Sequence, residues 1–268
     1  MLKTRLIAVL ILSRGQVVQS IRFKHTNVIH YDAVHAIEAF NKWAVDEIVM
    51  LNVTRDPESR GQFAEVVAKV SRHCFVPLTV GGWITDGDYA QGLLRSGADK
   101  LVVNTTLGTD PGLVENLSRR YGRQCIVASV DVKRTEDGRV EVAVDRGRRL
   151  TGASPVEWAL KAQRLGAGEI LFNSIDHDGA RKGYDLETLS AVCAATETPV
   201  IAFGGVFTWD HLVQGVEAGA AAVAAANIFH YTEHSTKKAK AFLARAGVNV
   251  RKEGRLELPV SSSDTGGH

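Results

Sequence analysis

With 268 residues, 45% apolar and 23% charged side chains and a net charge of +2, the chain has the composition of an ordinary soluble globular protein. So small a net charge argues against nucleic acid or an acidic membrane surface as a partner. Cys74, Cys125 and Cys193 are odd in number, far apart and at no metal-ligand spacing, which points to buried free thiols in a reducing, cytoplasmic compartment, with no metal or cofactor expected.

In chain order, the first apolar stretch, 6–12, is too short to span a bilayer. It leads into Arg14, Gly15 and Gln16 rather than a cleavage site, so it reads as a strand. Eight runs rich in β-branched or small apolar residues follow one another, at 5–11, 47–53, 77–82, 100–105, 125–132, 169–175, 199–205 and 221–227. Most are near-continuously apolar, the pattern of parallel strands covered on both faces. Helical patterns lie between them: 32–43, with Val34, Ile37 and Phe40 on one face, then 62–70 and 155–164. Strand and helix alternating eight times predicts an α/β fold, a single (β/α)8 barrel over 1–256. The remainder, 257–268, ends in small polar residues and is expected to be a disordered tail.

The chain also repeats itself. Asp46-Glu47-Ile48-Val49 is echoed by Gly168-Glu169-Ile170-Leu171, and the run from Pro77 to Gly82 by the run from Pro199 to Gly205. Ser96-Gly97-Ala98 before the fourth strand matches Ala218-Gly219-Ala220 before the eighth. Two similar half-barrels explain this, whereas a doubly wound open sheet does not predict it.

In such barrels the active site lies at the C-terminal strand ends. There, Gly81-Gly82 and Gly204-Gly205 would let backbone N–H groups approach an anion. Asn104, Thr105, Asn227 and Gly179 join them, and two clusters on opposite sides of one rim suggest a ligand with two phosphates or two anionic ends; simple turns are the alternative. Asp131 ends the fifth strand on the same side as Ser129. Burial in the mouth would raise its pKa and suit it to acid–base work, unless it only bonds loop amides. Asp176 and Asp178 are placed nearer the surface, Asp176 as a loop cap and Asp178 as a residue that could also touch ligand.

The opposite rim is unusual. Arg5, Glu47, Lys100 and Glu169 open the first, second, fourth and sixth strands, each in phase with an apolar residue two positions on. Pointing inward, they would form a ring of two cations and two carboxylates, costly to bury unless mutually paired and suggestive of a plug or gate. Four unrelated surface charges are the other reading.

From Met1 to about Gly254 the sequence resembles the HisF family, the cyclase subunit of imidazole glycerol phosphate synthase. The resemblance is carried by Met1-Leu2-Lys3-Thr4-Arg5, Val45-Asp46-Glu47, Val80-Gly81-Gly82 and Gly97-Ala98-Asp99-Lys100. It continues through Ser174-Ile175-Asp176-His177-Asp178-Gly179, Gly183-Tyr184-Asp185, Ile228-Phe229-His230 and Gly247-Val248-Asn249-Val250-Arg251. The resemblance implies a glutaminase (HisH-like) partner on the lower rim, near Asp99. Ammonia would pass the gate of Arg5, Glu47, Lys100 and Glu169 along a path lined by Val49, Leu51, Val102 and Leu171. At the top it would meet a bis-phosphorylated substrate, held by Gly82, Asn104, Thr105, Asp178, Gly179, Gly205 and Asn227.

Four positions depart from the family. Its second catalytic aspartate, on the first strand, is Ile11 here, so only Asp131 remains of the pair. Trp83 replaces a third glycine after Gly81-Gly82, Phe203 replaces a phosphate-binding serine, and Gln19 stands where a lysine is expected. The segment from Ser20 to Asn27 looks like HisF relatives of bacterial surface-glycan pathways, which work with a glutaminase and an ATP-dependent amidotransferase. The expectation is therefore ammonia delivery for sugar amidation. A genuine histidine-pathway cyclase and a non-catalytic scaffold are the alternatives.

Overall fold

The computed structural model describes residues 3–230 and 234–251. Eight parallel strands close on themselves: β1 (Arg5–Ser13), β2 (Glu47–Asn52), β3 (Leu78–Gly81), β4 (Lys100–Val103), β5 (Ile126–Arg134), β6 (Glu169–Ser174), β7 (Val200–Phe203) and β8 (Ala222–Ala225). Each pairs with the next, β6 pairs with β5 and β8 with β1, so no barrel strand leaves an open edge. Helices α1 (Ala33–Lys42), α2 (Ser59–Ser71), α3 (Gly87–Arg95), α4 (Pro111–Tyr121), α5 (Pro155–Arg164), α6 (Leu186–Ala195), α7 (Trp209–Glu217) and α8 (Ser235–Arg245) follow the strands in turn. The expected (β/α)8 barrel is the fold. Residues 252–256 of the expected barrel and the expected tail, 257–268, lie outside the described residues.

Local chemistry sets the helix starts. Asp32 accepts a hydrogen bond from the Val34 amide ahead of α1. Ser154 and Glu157 form a reciprocal capping box ahead of α5, with Pro155 in its first turn. The helix expected over 62–70 begins earlier, at Ser59, because Asp56 supplies side-chain and backbone acceptors to Glu58 and Ser59.

The apolar strand runs are buried on both faces, as their lack of alternation requires. Outward residues such as Leu6, Leu10, Ile48, Met50, Ile126 and Phe172 pack under the helices. Inward residues form a separate cluster: Ile7, Val9, Ile11, Val49, Val102, Val127, Leu171, Ile201 and Phe203, with Leu51 against it. Each such side chain contributes roughly 1.5–3 kcal/mol on burial, so the barrel is held from inside and outside alike.

Two antiparallel additions crown the C-terminal end, and the sequence reading passed over both. One hairpin, Gln16–Ile21 with His25–His30, continues β1 through a tight turn at Arg14 and Gly15, both at positive φ (50° and 77°). The other, Val140–Val144 with Arg149–Leu150, extends β5. The cysteines are free thiols but only partly buried, because they lie in or beside the helical shell rather than in the barrel. Burial still pushes the Cys74 thiol up and that of Cys193 to about 11. Among the described residues no helix is long and apolar enough to cross a membrane.

Candidate active site

The floor of the barrel is a closed ring of charge. Strand register brings Glu47 level with Ile7, and Lys100 level with Thr79. Arg5 binds Glu47 Oε2 through Nη1 at 2.8 Å and Glu169 through Nη2. Lys100 Nζ lies 3.1 Å from Glu47 Oε1 and 2.6 Å from Glu169 Oε2. The Thr79 hydroxyl donates to Glu47 Oε1 at 2.7 Å, and Glu47 is only 2% exposed. All four strand-opening charges therefore meet, and the reading of four unrelated surface charges is excluded.

The electrostatics follow from this pairing. Burial alone would lower the Arg5 pKa, but the Glu169 and Glu47 carboxylates outweigh it and raise it. Burial opposes ionisation of Glu169 as well, and Arg5 and Lys100 together hold its pKa below the usual carboxylate range. Asp99, beside the ring, is exposed on the lower rim and accepts from the Leu78 amide at 2.7 Å.

At the other end of the interior stands Asp131, 8% exposed. Ser129, Asn104 and Asn173 donate to its carboxylate at 3.0, 3.2 and 3.3 Å. Desolvation pushes its pKa up to about 6; the Asn173 and Ser129 hydrogen bonds oppose that shift and the Asp178 carboxylate adds to it. A carboxylate poised there can take or return a proton near neutral pH. Asn173 was missed in the sequence, although it lies four residues after Glu169 and alternation turns both inward.

The mouth also carries an apolar patch. Ile11 belongs to the inward cluster together with Phe203 and Leu51. Among the described residues, the set around Asp131 includes no second carboxylate hydrogen-bonded to it.

Two clefts open from this mouth. The larger, about 1310 Å³, gathers Gly82, Asn104, Thr105 and Asp131, together with Ile11 and Trp83. The smaller, about 460 Å³, gathers Asp178, Gly179, Gly205 and Asn227. Phe203 borders both, so the two expected clusters exist as separate clefts.

Several of their members have partners within the protein. A side chain at Gly82 would place its Cβ 2.5 Å from the Asn52 carbonyl oxygen, so glycine there answers to packing as well as to any ligand. The Thr105 hydroxyl donates to Asn104 Oδ1 at 3.3 Å and accepts from the Asp145 amide at 3.0 Å. Asp176 caps the Arg134 amide, as expected. Asp178 is buried rather than near the surface, because the long β1 hairpin folds over it. Ser20 donates to its Oδ2 at 2.6 Å and the Phe23 amide to the same oxygen at 3.3 Å.

Trp83 is the most altered part of the rim. Its backbone is left-handed, at φ 58°, a conformation that costs a non-glycine residue roughly 1–3 kcal/mol. The indole N–H donates to the Thr54 carbonyl at 2.7 Å, and the Arg146 guanidinium lies over the ring at 4.4 Å. Arg146 in turn reaches Thr54 O at 3.2 Å and Asp145 at 2.7 Å. Neither Thr54 nor Arg146 was singled out in the sequence.

Comparison with known proteins places this geometry in a family. The family described as "Histidine biosynthesis protein" matches residues 5–235. The imidazole glycerol phosphate synthase subunit HisF of Mycobacteroides abscessus is 42% identical over 254 residues, covering 92% of this chain and 98% of that protein.

Proposed function

Because the chain belongs to the histidine biosynthesis protein family, and within it to the HisF subunits, we propose that it is the barrel half of a glutaminase-coupled synthase whose ammonia goes to a sugar-type acceptor in surface-glycan synthesis. The observation that carries this reading is the contrast between a complete floor ring and a mouth where Ile11 faces the interior in place of a second carboxylate.

On this reading a HisH-like glutaminase docks on the lower rim around Asp99. Ammonia crosses the ring of Arg5, Glu47, Lys100 and Glu169 when a side chain of the ring swings aside. The interior above is apolar, with Val9, Val49, Val102 and Leu171. Uncharged ammonia crosses such a lining without a Born penalty, whereas ammonium does not. At the mouth, ammonia attacks an acceptor carbon that an ATP-dependent partner has activated as a phosphate or adenylate. The C–N bond forms, the C–O bond to that group breaks and the group leaves with the electron pair. Asp131 takes a proton from the new nitrogen. One carboxylate near its pKa suffices for that step, whereas the family's cyclisation uses an acid–base pair. Activation of the acceptor falls to an ATP-dependent amidotransferase as third partner.

The purified complex with its cognate glutaminase tests this. Supplied with the bis-phosphorylated substrate of the histidine pathway, it should form little or no imidazole glycerol phosphate, and efficient formation overturns the proposal. Identity of 42% across nearly the whole chain supports a second reading, a true histidine-pathway cyclase in which Asp131 works with a water. In that case Asp131→Ala should abolish turnover and Ile11→Asp should change it only modestly.

A further inference from the structure

We propose that the mouth of this barrel takes a ligand with a single anionic end, and that Trp83 and Arg146 set this limit by crowding the first of its two anion-binding clusters. The inference rests on the reading that the mouth is the acceptor site, but its test does not involve ammonia.

The obstruction is a bridge across the rim. Trp83, next to Gly82, is tied by its indole N–H to Thr54 in the loop after β2, and is covered by Arg146 from the turn of the second hairpin. Asp145 completes the bridge, holding Arg146 by its carboxylate and Thr105, beyond the end of β4, by its amide. Asp145, Arg146 and Gly147 all have positive φ, at 50°, 57° and 75°. Two successive non-glycine residues in that region are uncommon, and here they aim the guanidinium back over the indole.

The bridge also consumes donors. The hydroxyl of Thr105 is engaged by Asn104 and Asp145, and both terminal nitrogens of Arg146 are engaged by Thr54 and Asp145.

The smaller cleft is built differently. Trp209 lines this cleft with its ring stacked on Phe229, Arg181 brings a cation, and the Asp178 carboxylate is occupied by Ser20 and the Phe23 amide. Asp210 at this cleft is exposed. The anionic end therefore lies here, with the rest of the ligand reaching past Phe203 toward Asp131.

Amide NMR of the full chain titrated with inorganic phosphate is the test. In the wild type, phosphate should move the Gly204 and Gly205 amides along one saturable curve and leave those of Gly82 and Thr105 in place. W83G should make both sets respond, with phosphate bound at the first cluster about tenfold or more tighter than in the wild type. Glycine accepts the left-handed backbone at position 83, so the variant removes strain as it removes the indole. If W83G fails to fold, R146A carries the same comparison, because it opens the bridge and leaves the indole in place. Movement of Gly82 and Thr105 in the wild type overturns this proposal alone, as does their silence in the variant that opens the bridge. Silence of Gly204 and Gly205 overturns it together with the acceptor-site reading beneath it.

Discussion

The two ends of this barrel carry titratable groups under opposite rules. At the floor every buried charge is matched: Glu47 and Glu169 each touch both Arg5 and Lys100. At the mouth Asp131 is buried with neutral donors only, and its pKa rises, whereas that of Glu169 falls. The same low-dielectric interior surrounds both ends. Opposite charge at close range decides the sign at one end, and its absence decides it at the other. Held by Arg5 and Lys100, the Glu169 carboxyl favours its ionised form. An unpaired carboxyl near neutrality can exchange protons, which is what an acceptor site needs.

The sharpest way to break this contrast is to unbalance the floor. Glu47→Ala leaves Arg5 and Lys100 facing one carboxylate between them and strands the Thr79 hydroxyl. Breaking a buried pair from one side costs about 3–5 kcal/mol. Arg5 is 29% and Lys100 17% exposed, which favours the lower figure, about 3 kcal/mol. Denaturant unfolding measures it, and a loss below about 1 kcal/mol would mean the ring is too loosely held to act as a gate.

Asp131→Asn probes the mouth with a smaller effect and a pH signature. Folding raises the Asp131 pKa from 3.8 to about 6. Its contribution to stability is thus fully present below about 4 and is lost as pH rises through about 6. The shift alone corresponds to at most about 3 kcal/mol. An asparagine amide that meets the Asn104 or Asn173 donors gives part of that back, leaving a gain of about 1–2 kcal/mol at pH 8. The variant's melting temperature should therefore exceed that of the wild type at pH 8, and the advantage should shrink at pH 4.5. An advantage independent of pH would show that Asp131 is not the proton acceptor of the mouth.

The floor was far more legible in the sequence than the mouth, for a physical reason. A charged residue opening an apolar strand has one side to point to, and alternation fixes that side. Arg5, Glu47, Lys100 and Glu169 can thus be placed together from the sequence alone. Mouth residues depend on loops. The strand His25–His30 is mostly exposed and carries no apolar alternation, so nothing marked it as a strand. Trp83 was recognised as an obstacle, but its partner Arg146 sits in a hairpin turn that the barrel pattern does not predict. Asp178 was placed near the surface because the hairpin that covers it was itself unseen. Asn173 was within reach by counting from Glu169, yet an asparagine inside an apolar run reads as a strand end.

Two aspartates that precede floor strands offer a finer test. Asp46 and Asp99 precede β2 and β4, and each accepts from an amide at the start of a neighbouring strand, Leu6 at 2.9 Å and Leu78 at 2.7 Å. There the likeness stops. Asp46 is also held by Lys240 at 2.5 Å with both side chains nearly buried, whereas Asp99 is exposed on the rim. If both roles were only structural, the two aspartates would matter through the amides they cap. If the lower rim receives a glutaminase, Asp99 has a second role that Asp46 cannot share. Asp99→Ala should then cost under about 1 kcal/mol in the isolated barrel, the worth of one half-exposed hydrogen bond. It should still weaken glutaminase binding about fivefold, near 1 kcal/mol. Asp46→Ala should do the reverse, costing more stability and little affinity. Calorimetric titration beside thermal melts reads both quantities, and equal affinity losses from the two variants would leave Asp99 a strand cap and nothing more.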